Sequence, residues 1–289
     1  MKKWLLSILF IVAAMLVISA CGAESEDEAV GDLEEESSEE SSGAEEESDE
    51  EVEGSSESSG EAAIEDGVLK MGTSADFPPF ESIDESGEFV GFDIDLAHKI
   101  ADELGYELEI SDMSFDGLIG ALQSERVHMV LAGMSATEER KENVDFSPAY
   151  HHSGEYFVTQ DGSDITSIED IEGKVIGVQQ GTIQEEGAKT LQEDYDFEIK
   201  GMTESSTLIQ ELITGRVDIA YMDTTVAEGH IEEQGLAGFE DPTTASPGMA
   251  VAFPKDSELT DEVSEVIEKF LEDGTIEELE EKWELGEDE

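Results

Sequence analysis

From Gly67 onward, apolar residues follow two spacings in turn. Short apolar runs separate stretches in which apolar residues recur every three or four positions. V-L-K-M-G-T (68–73) is a short apolar run that ends in a turn and reads as a strand. Phe92, Leu96, Ile100 and Leu104 share one helical face, and Gly105 stops that helix. Y-E-L-E-I (106–110) alternates like a strand, 114–124 has helical spacing, and R-V-H-M-V-L-A (126–132) is again strand-like. The same order then returns: strand and turn over 174–182, helix over 183–191, strand over 196–200, helix over 206–213 and strand over 216–223. A last strand covers 248–253. A helix capped by Asp256 or Ser257 follows, with Leu259, Val263, Val266, Ile267, Phe270 and Leu271 on one face. Gly274 ends it, and Ile276–Trp283 forms a short final helix.

The two β-α-β-α-β units share letters as well as order. L-I-G-A-L-Q-S-E-R-V at 118–127 matches L-I-Q-E-L-I-T-G-R-V at 208–217. The fold class expected is α/β, with two lobes, each a mostly parallel sheet flanked by helices and joined by right-handed crossovers. The first lobe takes residues 67–151 and 247–289, and the second takes 152–246. The chain crosses between them twice, near 150–153 and 245–248, which makes a hinge. Ligands bind beyond the carboxyl ends of such strands. Those ends are 72–77, 132–137, 179–184 and 222–225, where polar and aromatic residues collect.

The N-terminus changes the picture. Lys2 and Lys3 precede a 17-residue apolar run, Trp4 to Ala20, and I-S-A-C follows at 18–21. Small residues ahead of a cysteine suit cleavage by a lipoprotein peptidase, so 1–20 reads as a lipoprotein signal peptide and Cys21 as the lipidated residue. A span of about 25 Å at ~1.5 Å per residue is short for a bilayer core of ~30 Å. Cys21 is the only cysteine, so no internal disulfide forms. Residues 22–66 hold 21 acids and no Lys or Arg, a composition that gives a disordered, self-repelling tether.

The whole chain carries a formal charge of -62, and residues 67–289 alone carry 55 acids against 12 bases. Nucleic acid and anionic membrane surfaces are excluded as partners by that sign. No D-x-[DN]-x-[DN]-G calcium loop is present, and no cofactor or metal is expected. The acids read as a solvated surface suited to high salt, where screening weakens self-repulsion. His151 and His152 lie beside the first crossing and read as exposed hinge residues.

The motifs G-T-S-A-D-F-P-P-F-E, G-F-D-I-D-L-A, F-D-G-L-I-G-A-L-Q, G-M-S-A-T-E-E-R, V-D-F-S-P-A-Y, G-V-Q-Q-G-T and G-R-V-D occur in that order. Together they resemble the polar-amino-acid substrate-binding proteins of ABC transporters, solute-binding protein family 3, in a lipoprotein form. The resemblance spans nearly all of 67–289. It implies a periplasmic-binding-protein-like fold that closes on one free amino acid and passes it to an ABC permease. It implies no enzymatic activity, a monomer, and a place on the outer face of the plasma membrane, held by lipid alone. A fold relative acting as an enzyme (a dehydratase or a cell-wall glycan lyase), or as a ligand sensor for a signalling receptor, is the alternative.

Carried over by position, Arg140 resembles the arginine that holds the ligand carboxylate, a task suited to a guanidinium's paired donors. Asp223 resembles the acid that pairs the α-ammonium. Phe77 and Phe115 resemble the walls around the ligand side chain. Ser135 and Thr182 resemble hydroxyl donors to the carboxylate. Gly133 and Met134 are expected to offer backbone contacts, and Gln184 sits at a helix start facing the cleft. Ser74 stands where binders of basic amino acids carry an acid, which weighs against a basic substrate. Ala132 replaces a frequent serine, and Ile183 a common threonine. Asp76 and Glu81 are acids that can compensate, so arginine and lysine stay open.

Overall fold

The structure is a computed structural model that describes Ile64 and residues 67–285. The signal segment, Cys21 and the acidic stretch up to residue 66 lie outside the described residues, Ile64 excepted.

The first sheet is built from β1 (Val68–Thr73), β5 (Glu107–Asp112), β6 (Met129–Val130), β7 (Val144–Phe146) and β13 (Ala252–Pro254), in the order β5-β1-β6-β13-β7. Strands β5, β1 and β6 are parallel, and β13 runs antiparallel to both β6 and β7. Leu69 and Met71 of β1 enter one apolar cluster, with Leu96 and Ile100 of α1 (Phe92–Leu104) and Val263 and Ile267 of α7 (Leu259–Asp273). Gly72, next after Met71, faces the other way, towards Leu118 of α2 (Leu118–Gln123) and Val130. That period of two buries the sheet on both faces.

The second sheet repeats the plan. Its strands are β8 (Glu155–Gln160), β9 (Val175–Gln179), β10 (Glu198–Met202), β11 (Ile219–Asp223) and β12 (Leu236–Glu240), in the order β10-β9-β11-β8-β12. Three strands are again parallel, and β8 runs antiparallel to β11 and β12. The flanking helices are α4 (Ile183–Leu191), α5 (Ser205–Ile213) and α6 (Thr224–Gln234). Each sheet is therefore mixed, with a parallel half that carries the βαβ crossovers. A small third sheet, β2 (Asp76–Phe77), β3 (Glu81–Ile83) and β4 (Phe89–Val90), is antiparallel and precedes α1. Two short helices complete the described chain, α3 (Glu138–Lys141) and α8 (Thr275–Lys282).

Local sequence explains several boundaries. Gly105 adopts φ 76°, a left-handed conformation, and closes α1. Thr182 caps α4 by accepting from the Glu185 amide at 3.2 Å. Gly91 adopts φ 139° ahead of α1, and a Cβ there would lie 2.0 Å from the Phe80 carbonyl oxygen, so only glycine fits. The His151 segment bridges to Met249 in antiparallel fashion where the chain passes between the sheets. His151 itself is buried, in contrast to the expectation of an exposed residue. Its ring lies 5.3 Å from that of Phe80, and Nδ1 is 2.9 Å from Glu280 Oε1 of α8. His152 is exposed. No described helix is long and apolar enough to cross a membrane.

Candidate functional site

A cavity of about 420 Å³, including its open mouth, is lined from all four predicted strand ends. Ser74, Asp76 and Phe77 follow β1, and Ala132, Gly133 and Ser135 follow β6. Gln179, Thr182, Ile183 and Gln184 come from the end of β9 and the start of α4, and Asp223 ends β11. Glu81, Phe115, Arg140 and Met249 complete the lining. Of the ten ligand-contact residues expected from the sequence, all but Met134 are here. The Met134 side chain is packed in the core with Leu118 and Val130, and its carbonyl accepts from the Ala250 amide at 3.0 Å.

Arg140 is held by its own turn and by the opposite sheet's loop. Thr137 caps α3 by accepting from the Arg140 amide. One terminal nitrogen donates to the Ser135 carbonyl at 2.8 Å and the other to the Gly181 carbonyl at 3.0 Å. The guanidinium lies over the Phe115 ring, 5.4 Å from its centroid. Only 7% of the residue is exposed, and burial pulls its pKa down. Among the described residues no carboxylate forms an ion pair with it, so its charge remains available to an anion. The N-terminal end of α4 lines the same space through Thr182, Ile183 and Gln184. The Thr182 hydroxyl proton is already donated to the Gln179 carbonyl at 2.7 Å. Ser135 Oγ is 3.4 Å from Ser246 Oγ.

Phe77 stacks on Phe80 with centroids 5.8 Å apart. Its ring comes so close to Gly133 that a Cβ there would sit 3.0 Å from it, at a φ of +55°. The Gly133 amide donates to Asp93 Oδ2 at 2.8 Å, and the Tyr150 hydroxyl donates to the same oxygen at 2.8 Å. Burial pushes Asp93 up to about 6 despite these donors. Beside it, Glu81 is fully buried, and its side-chain hydrogen-bonding neighbour is the Asp93 carboxyl. Burial first, then the Asp93 charge, hold Glu81 well above the usual carboxylate range.

A second group of acids lies in the other lobe. Asp223 Oδ1 accepts from the Thr225 and Val226 amides and caps α6. Burial raises its pKa to about 7. Its strand neighbour Glu155 is raised to about 8, by burial first and then by the Asp223 charge. Gln184 Nε2 donates to Glu155 Oε2, while Oε1 has no partner. Glu155, Gln179 and Met249 were not singled out by sequence reasoning. Gln179 sits at a strand's carboxyl end, the one signal that pointed there.

A family model described as bacterial extracellular solute-binding proteins, family 3, matches residues 69–287. The chain is 43% identical over 222 residues to the arginine-binding extracellular protein ArtP of Bacillus subtilis (strain 168), covering 76% of this chain and 87% of that one. It is 32% identical over 223 residues to a probable histidine-binding protein of Campylobacter jejuni, with 75% and 85% covered. Among solved structures, an ancestral arginine-binding protein bound to arginine superposes with a TM-score of 0.71 at 41% identity, over 75% of this chain and 98% of that one. With this fold, this cavity and these matches, the chain belongs to the bacterial extracellular solute-binding proteins of family 3.

Proposed function

We propose that this protein is the extracytoplasmic substrate-binding component of an ABC importer and that its substrate is an amino acid with a cationic side chain, arginine above all. The observation that carries the reading is the charge inventory of one cavity. It is lined by one unpaired buried guanidinium, Arg140, and by two buried carboxyl groups in separate places, Asp223 and Glu81. A basic amino acid offers the complement, one carboxylate and two cations. On this reading Arg140 takes the α-carboxylate in a two-point contact. Asp223 takes the α-ammonium, and Phe77 and Phe115 flank the aliphatic stem. Glu81 takes the side-chain cation. Ser74 weighed against a basic substrate in the sequence. On this reading Glu81 of β3 is the compensating acid: it is buried at the cavity wall, while both oxygens of Asp76 are engaged by Ser74 and Ser205. The names of the relatives, arginine- and histidine-binding proteins, agree in class.

The lobes that close are residues 67–151 with 247–289, and 152–246. A diacylated Cys21 and an acidic tether hold them near a permease in the plasma membrane, as a monomer. Attachment by two acyl chains, each contributing about 0.8 kcal/mol per buried CH₂, is lasting. Titration calorimetry of the purified protein with L-arginine, L-lysine, L-histidine and L-glutamine tests the substrate. Arginine is expected to bind tightest, one per chain. Tighter binding of glutamine, or no heat with any of the four, overturns the assignment.

A further inference from the structure

Helix α5 begins without a cap of its own. The first amides of any helix have no intrahelical acceptor. The residue in the cap position, Glu204, makes no side-chain bond to them. The acceptor comes from 129 residues away, as Asp76 Oδ2 takes the Ser205 amide proton. Asp76 belongs to β2, in the small sheet that leads into α1 of the first lobe. Helix α5 packs on β9 and β11 in the second sheet. The bond therefore spans the cleft. Oδ1 of the same carboxylate accepts from Ser74 Oγ at 3.2 Å, which fixes its direction.

Two other polar contacts join the lobes, Ser135 with Ser246 beside the second crossing and Arg140 with Gly181. Arg140 reaches the Gly181 carbonyl, but its guanidinium also faces the cavity. Asp76 also borders the cavity, but both of its carboxylate oxygens are engaged by protein donors, Ser74 and Ser205, and the bond to Ser205 exists only while the lobes are together. Glu204 lies nearby and repels Asp76. Without the helix amide, the approach of these two acids in a chain of net charge -62 would oppose closure.

We propose that Asp76 is a closure residue: its carboxylate caps helix α5 across the cleft, stabilises the closed state and slows ligand release without gripping the ligand. The role is that of a positioning residue for affinity. It is separate from the identity of the amino acid bound.

Three variants of the full chain test it: Asp76→Ala, Asp76→Asn and Ser205→Pro. Proline suits the first position of a helix, so Ser205→Pro removes the donor and keeps the helix. With L-arginine as probe, Asp76→Ala is expected to raise koff on the order of tenfold, the range that a lost helix cap carries, with little change in kon. Ser205→Pro gives the same rise, the double variant adds nothing further, and Asp76→Asn falls between. Amide hydrogen exchange reads the bond directly. The Ser205 amide is protected in the wild type and exchanges freely in Asp76→Ala, while the later amides of α5 keep their protection. A fast-exchanging Ser205 amide in the wild type overturns the proposal, as do additive effects of the two substitutions. A changed ratio of arginine to glutamine affinity in Asp76→Ala also overturns it, because that outcome makes Asp76 a ligand contact. Should Ser205→Pro fail to fold, the exchange result on Asp76→Ala decides alone. The exchange measurement is made on the protein saturated with whichever amino acid calorimetry shows to bind, so failure of the arginine reading leaves it intact.

Discussion

Replacing Glu81 with glutamine is the sharpest test of how this cavity reads its ligand. The side chain keeps its shape and loses its charge. The carboxyl is fully buried against the Asp93 carboxyl and hydrogen-bonds to it. An introduced amide can donate to Asp93 in place of the protonated Glu81 carboxyl. The free protein should therefore tolerate the change. The ligand complex should not, if Glu81 faces the side-chain cation. Removing one partner of a buried charge pair costs about 3–5 kcal/mol. An amide oxygen still accepts from a guanidinium, so the lower end applies. At 1.4 kcal/mol per tenfold, the arginine Kd rises roughly a hundredfold. Citrulline, the neutral analogue of almost the same shape, should bind the variant about as well as it binds the wild type.

The same substitution has a pH signature in the free protein. The Glu81 pKa in the folded state lies above its unfolded value. Such a group adds stability below its unfolded pKa, and that contribution is lost as pH rises through the folded pKa. Glutamine does not titrate. The melting point of Glu81→Gln should thus rise relative to the wild type as pH increases. Calorimetric titration with arginine and citrulline, with thermal melts at about pH 5 and about pH 8, measures both effects. Equal losses of affinity for arginine and citrulline would refute the reasoning, since the charge would then play no part in selection. So would a variant that is less stable than the wild type at the higher pH.

Three further outcomes follow from the same geometry. Arg140→Lys should weaken every α-amino acid by at least roughly a hundredfold and leave the fold intact by circular dichroism, because an ammonium cannot reproduce the paired guanidinium contact. Amino-acid affinity should tighten between about pH 5.5 and about pH 8, by up to about tenfold per unit, as binding of the α-ammonium ionises Asp223, held near 7 in the free protein. Titration in buffers of different ionisation enthalpy should show proton release on binding. The stability of the free protein should run the other way, falling as pH climbs through the raised pKa values of Asp223 and Glu155. Gly181→Ala places a Cβ 3.1 Å from the Asp116 backbone in the facing lobe, at a φ of +78°. It should cost about 1–2 kcal/mol in the closed, ligand-bound state, and surface plasmon resonance should show this as a faster koff.

The parts of the fold that were legible in the sequence are those whose burial is periodic. Helix α4 was read at 183–191 because Thr182 announces its start and apolar spacing carries it. Helix α6 was not read, because only Val226 and Ala227 are buried in it and no apolar stripe forms. Strand β8 lies inside the second sheet, between β11 and β12, yet was missed, and β6 shrank to Met129–Val130 within the seven-residue stretch 126–132. An apolar run shows burial, but it does not mark where ladder pairing begins and ends. The last strand was read at 248–253 and pairs at Ala252–Pro254, but its antiparallel direction was invisible, since strand direction depends on where the chain returns from.

The site divides along a different line. Its loops were legible because a parallel strand's carboxyl end is a place defined by topology, and all four such ends reach the cavity. Its acids were legible only in part: Asp223 by the resemblance, Glu81 as one of two compensating acids, and Glu155 not at all. The chain has 76 acidic residues, and the letters do not say which of them are buried. Among the described residues, the buried acids are Glu81, Asp93, Glu155, Asp223 and Asp241. Two of these line the cavity, and Asp93 and Glu155 stand directly behind its walls. A chain that covers itself with carboxylates still pays the full desolvation cost for each one it buries. Burial is therefore the property that separates these five acids from the solvating ones. Glu81, fully buried at the cavity wall against a second carboxyl, meets that criterion most completely.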